Sequence, residues 1–73
     1  MSHDDKTVRI LRYIEDYWQT HGYSPSLREI QTGCGISSLS VVTWNLGKLE
    51  KRGEISRTPD IARSITLAGR AGW

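Results

Sequence analysis

The sequence predicts a mainly α domain, three helices followed by a two-stranded β-hairpin, and three observations carry that reading. Apolar residues recur at helical spacing in three stretches between Asp5 and Arg52. A glycine-bearing break, Gly33-Cys34-Gly35-Ile36, separates the second stretch from the third. After Gly53 the apolar period falls from 3.6 to 2, the signature of short strands.

The first helix is expected from about Asp5 to Thr20. Asp4 or Asp5 caps it, with charges that suit the positive end of the helix dipole. On a helical wheel Thr7, Ile10, Leu11, Ile14, Tyr17 and Trp18 share one face, while Arg9, Arg12, Glu15, Asp16 and Gln19 lie away from it. Gly22 is the stop, because it adopts positive φ without a Cβ clash. Tyr23-Ser24-Pro25 is an extended connector, since Pro25 biases Ser24 away from helix.

The second helix is short, Leu27 to Thr32, with Leu27 and Ile30 facing inward. Ser26 is its N-cap, and Glu29, three residues on, closes a capping box. Of Gly33 and Gly35, one supplies a left-handed turn and the other lets two backbones approach closely. The third helix runs from Leu39 to about Arg52, with Ser37 or Ser38 as N-cap. Val42, Leu46 and Leu49 fall within about 60° of one another and form its buried stripe. The opposite face holds Ser40, Trp44, Gly47 and Lys51, flanked by Val41, Thr43 and Lys48. Gly53 stops the helix, and Lys51 and Arg52 complement its negative end.

Glu54–Arg57 and Arg63–Leu67 then alternate polar and apolar around the turn chemistry of Thr58-Pro59-Asp60. This hairpin aims Ile55, Ile65 and Leu67 at the helices. Residues 68–73 read as a tail, so residues 1–73 form one domain with a core over about 5–67.

Seventy-three residues allow one small core, in which each long apolar side chain has a packing role. Apolar content of 37% and charged content of 25% exclude a disordered tail. The net charge of +2 is too small to identify a polyanion partner, but its distribution is informative. Residues 1–30 carry a balance of −1 and residues 31–73 a balance of +3, so the surplus lies on the third helix and beyond. One cysteine excludes a disulfide-stapled domain, and no apolar run is long enough for a membrane helix. The expectation is a cytoplasmic, nucleoid-associated protein without a membrane partner.

Two helices joined by a short glycine-containing turn are a helix-turn-helix, and its second helix has the width of a DNA major groove. With the hairpin, the architecture is a winged helix-turn-helix. Two function classes follow: sequence-specific binding of double-stranded DNA by a transcriptional regulator, or a protein–protein interaction module within a larger complex. The small net charge, an outward Trp44 and a neutral reading face speak for the second. No Ser-His-Asp set, paired carboxylates or phosphate-cradling glycine loop is visible, and Cys34 with His3 and His21 does not make a zinc site. The chain is therefore expected not to be an enzyme, with no cofactor, metal or small-molecule ligand.

Tyr13-Ile14, Gly22-Tyr23, Pro25-Ser26, Arg28-Glu29-Ile30, Gly35-Ile36-Ser37-Ser38, Val42, Leu46, Leu49-Glu50, Arg52-Gly53, Ile55, Pro59, Arg63 and Ile65 together resemble the N-terminal DNA-binding domain of LexA-type repressors. The resemblance covers residues 7–67. It implies a winged helix-turn-helix that binds operator DNA through the third helix. LexA repressors carry a second domain with a Ser-Lys dyad for self-cleavage, which also mediates dimerisation. The sequence ends at Trp73, so neither is carried over. Val41, Thr43 and Trp44 depart from the polar or charged residues of the family and point away from the usual damage-response operator. Gly33 and Gly47 also depart, each at a cost of about 0.5–1 kcal/mol against alanine.

The expected base-reading residues are Ser38, Ser40, Val41, Thr43 and Trp44. Ser38 and Ser40 can bond base edges or phosphates at the helix start, or serve only as caps. Thr43 can meet a base edge or a thymine methyl. Trp44 packs on sugar and thymine methyls, sits in a protein interface, or folds onto the wing or a neighbouring helix. The expected phosphate contacts are Ser26, Arg28, Lys48, Lys51, Arg52, Arg57 and Arg63, with Arg63 favoured for its match to a family position in the wing. Arg28 is alternatively an ion-pair partner of Glu29 or Asp60. Cys34 is expected as a small buried apolar residue. Tight binding calls for two copies on a palindromic operator, as a homodimer whose contact is Trp44, Trp73 or a domain outside this sequence.

Overall fold

The computed structural model describes residues 5–58, 61 and 63–67. Helices α1 (Asp5–His21), α2 (Leu27–Cys34) and α3 (Leu39–Lys51) precede strands β1 (Ile55–Ser56) and β2 (Thr66–Leu67). The strands pair antiparallel, with Ile55 opposite Leu67 and Ser56 opposite Thr66. The predicted winged helix is thus the observed architecture.

Gly22 ends α1 at φ 81°, its N–H bonding the Trp18 carbonyl at 2.9 Å. Asp4 lies outside the described residues. Ser26 caps α2 in a complete capping box: its Oγ accepts from Glu29 N–H at 3.2 Å, and its own N–H donates to Glu29 Oε1 at 2.9 Å. The helix runs two residues beyond the expected Thr32, so Gly33 is helical rather than part of the turn. Its glycine has another cause: a Cβ there would run into the Tyr13 ring of α1. The close approach is therefore between a backbone and an aromatic ring. Gly35 alone turns left-handed, at φ 67°, and Ile36 N–H closes on the Gln31 carbonyl at 3.0 Å in a Schellman-type stop.

Ser38, not Ser37, caps α3, accepting from Ser40 N–H at 3.1 Å. Arg52 is the C-terminal cap, and Gly53 follows at φ 77°. One core cluster fills the space between the helices and the hairpin: Ile10 and Ile14 from α1, Ile30 and Cys34 from α2, Ile36, then Val42, Leu46 and Leu49 from α3, and Ile55, Ile65 and Leu67 from the wing. Leu27 joins from the edge, half-buried. Beside this cluster, Thr7 of α1 donates to Asn45 Oδ1 of α3 at 2.6 Å, and Asn45 Nδ2 donates to the Val41 carbonyl at 2.8 Å. Both residues are buried, so this polar pin fixes how α1 crosses α3.

The strands are shorter than expected, two residues each. Arg63 cannot belong to β2, because it stands at φ 57°, a left-handed conformation. Past Ser56 the ladder is replaced by a side chain: Ser64 Oγ accepts from Thr58 N–H at 3.0 Å and donates to its carbonyl at 2.9 Å. Trp18 Nε1 donates to the Ile65 carbonyl at 3.3 Å, tying the wing to α1. Pro59, Asp60 and the expected tail lie outside the described residues.

Candidate nucleic-acid interface

The outward side of α3 consists of two ridges at i, i+4 spacing: Ser40, Trp44 and Lys48, and beside them Thr43, Gly47 and Lys51. Ser40, Trp44 and Lys51 are exposed, and Thr43, Gly47 and Lys48 are half-buried. Ser40 is exposed, and Trp44 is 66% exposed, so its ring does not fold onto the wing or a neighbouring helix. It stacks instead under the Lys48 ammonium, which lies 4.7 Å from the ring centroid, a cation–π contact along one ridge. Thr43 Oγ1 donates to the Ser40 carbonyl at 3.0 Å, which commits its hydroxyl proton. Gly47 has no atom within 4 Å of a Cβ position, leaving open space beside the ring.

Two shallow grooves flank Trp44. One, of about 670 Å³, runs between the start of α1 and α3, where Lys6 and Thr7 face Ser40, Val41 and Asn45. The other, of about 400 Å³, lies along Thr43, Gly47 and Lys51. The structure thus brings Ser40, Val41, Thr43, Trp44, Lys48 and Lys51 onto one side, and Ser38 caps that helix at its N-terminal end.

A third groove, of about 320 Å³, lies between α2, the first residue of α3 and the wing; Ser26, Arg28, Arg57 and Arg63 line it. These residues are close but differently engaged. Arg28 is exposed in the first turn of α2. Arg57 Nε is 3.5 Å from Glu50 Oε1. Arg52, outside this groove, sits 3.7 Å from Glu54 Oε2. Ser26 is occupied by its cap.

Arg63 is the most committed of the expected phosphate contacts. Its two terminal nitrogens donate to the two Glu29 oxygens, each at 2.9 Å, and Nη1 also donates to the Ser24 carbonyl at 3.1 Å. Its guanidinium lies 5.0 Å from the Tyr23 ring centroid. The Arg63 fork and the Ser26 backbone N–H hold the Glu29 carboxyl at about 2, down from 4.5. The acid near Arg28 is therefore the partner of Arg63, while Asp60 lies outside the described residues. A left-handed backbone and a bidentate ion pair make Arg63 the latch between wing and α2, engaged within the fold before any phosphate arrives.

Cys34 is buried in the core, and burial pushes its thiol pKa up against the lowering influence of Arg9. Its carbonyl accepts from the Arg9 guanidinium. No helix is long and apolar enough to cross a membrane among the described residues.

Sequence reasoning missed three residues near the site. Asn45 had a readable signal, a polar residue at the edge of an apolar stripe, which demands a buried partner. Lys6 reaches the α3 groove only because of the α1–α3 crossing, which no local pattern encodes. Ile61, 60% exposed in the wing, falls between the Thr58-Pro59-Asp60 turn and the strand expected from Arg63, where no role was read.

Comparison with known proteins adds the family. The profile described as LexA DNA binding domain matches residues 5–64. A LexA repressor of Roseiflexus sp. (strain RS-1) is 52% identical over 58 residues, 80% of this chain and 27% of that protein. A LexA repressor of Herpetosiphon aurantiacus is 48% identical over 59 residues, 81% of this chain and 28% of that protein. One from Clostridium novyi is 42% identical over 66 residues, 90% and 32% respectively. The chain thus spans about 27–32% of the length of these curated relatives.

Proposed function

The chain belongs to the LexA DNA-binding domain family, and on that premise we propose that it binds operator sequences in double-stranded DNA as part of a transcriptional regulator. The carrying observation is the uncovered outer side of α3, with Trp44 66% exposed and lysines along both ridges. In this reading α3 lies in the major groove. Ser38 and the free N–H groups it flanks face a phosphate at the helix start, and Ser40, Val41, Thr43 and Trp44 face base edges. Lys51, Arg28 and Lys48, the last from its place over the Trp44 ring, take phosphates, whereas Arg52, Arg57 and Arg63 are held by their carboxylate pairs. Two copies occupy a palindromic site, since one module of this size buries modest area. The domain performs no catalysis, and its place is with the chromosome in the cytoplasm.

The test is titration of the chain with duplex DNA at two salt concentrations. Neutralised phosphates release counterions, so affinity is expected to fall steeply as salt rises. Binding that ignores salt, or none at low salt, defeats this reading and favours the protein-partner alternative that exposed Trp44 also fits.

A further inference from the structure

We infer that the α3 face selects its duplex through the C5-methyl groups of pyrimidines, thymine in unmodified DNA, with Trp44 as the specificity-determining contact and Val41 beside it. The inference rests on the DNA-binding reading above and deepens it. Hydrogen-bond readout of the major groove relies on amides for adenine and on guanidinium or ammonium groups for guanine. None of positions 40, 41, 43 and 44 supplies one. The nearest amide, Asn45, is 3% exposed and tied to Thr7 and to the Val41 carbonyl. The Thr43 hydroxyl proton is held by the Ser40 carbonyl. The nearest ammonium, Lys48, lies over the Trp44 ring.

What this face offers instead is apolar surface: a 66% exposed indole with Val41 on one flank and the open space at Gly47 on the other. The C5-methyl of thymine is the apolar group that a major groove displays. Charge selects DNA over a protein partner. Lys6, Lys48 and Lys51 rim the two grooves beside Trp44, and among the described residues no carboxylate lines either. That arrangement matches an apolar base edge between two phosphate backbones.

The experiment begins with duplexes selected by the 73-residue chain from a random pool at low salt. The selected site is then synthesised with uracil replacing thymine, one position at a time, which deletes only the methyl. Affinity is expected to fall about fourfold for each methyl buried against the ring. Trp44→Ala, with helix content checked by circular dichroism, is expected to bind thymine and uracil duplexes equally. Equal binding of the two duplexes by the wild-type chain overturns the inference while leaving the DNA-binding reading intact. So does a Trp44→Ala chain that keeps the discrimination, because the preference would then come from duplex stiffness. A pool that yields no salt-dependent binder overturns the DNA-binding reading and the inference with it.

Discussion

Arg63 and Glu29 stand 34 residues apart and join the wing to the first turn of α2. Glu29 serves three groups at once: Ser26 N–H, Arg63 and, through its own N–H, the Ser26 hydroxyl. Its carboxyl is depressed from 4.5 to about 2 in the fold. A depressed carboxyl contributes stability that is fully present above the unfolded value and disappears as pH falls through the folded one. The Tm gap between the wild-type chain and Glu29→Gln is therefore expected to be constant above about pH 4.5 and to close toward pH 2. A gap that stays constant down to pH 2 would show that the carboxylate charge is not what Arg63 holds. Arg63→Ala separates the same latch from DNA contact: it is expected to lower Tm while leaving the salt slope of duplex binding near wild type. Lys51→Ala is expected to do the reverse, reducing that slope by about one. A large loss of slope in Arg63→Ala would return Arg63 to the phosphate contacts.

At the scale of elements, the two helical glycines have opposite explanations. Gly47 meets nothing, so Gly47→Ala is expected to stabilise the free chain by about 0.5–1 kcal/mol, several degrees in Tm. Gly33→Ala gains the same helix propensity but must displace the Tyr13 ring. Thermal melts are expected to place it below Gly47→Ala, and equal gains would mean that the Tyr13 contact contributes nothing. These elements were legible where local chemistry decides them. Ser26, Glu29, Ser38, Gly22 and Gly53 mark their boundaries by capping and positive φ. The end of α2 was misread because a glycine that makes room for a distant ring looks, in sequence, like a turn glycine. The strands were overestimated because alternation continued through Arg63, whose backbone is left-handed and whose side chain is engaged by Glu29 in another element.

For the whole molecule, the core stripe of α3 was readable from its period, and the opposite side is the one left bare. The grooves beside that side were not readable, since Lys6 enters them through the packing of α1 on α3. Nor was the division of the cations, because the partners Glu29, Glu50 and Glu54 are assigned by the fold. The proposed pairing of two copies makes a geometric prediction. Half-sites whose centres lie a whole helical turn apart, or a multiple, should bind most tightly. Inserting about half a turn between them should reduce affinity to that of an isolated half-site, as read by gel shift; no dependence on spacing would leave each copy acting alone.

The placement of two tryptophans has an optical consequence. Trp18 is half-buried and donates its indole N–H to the Ile65 carbonyl, whereas Trp44 stands in water. The first is a natural fluorophore for the seating of the wing and the second for whatever approaches α3, so a chain in which the third tryptophan, Trp73, is replaced by phenylalanine carries reporters of its own integrity and of its encounter with a partner.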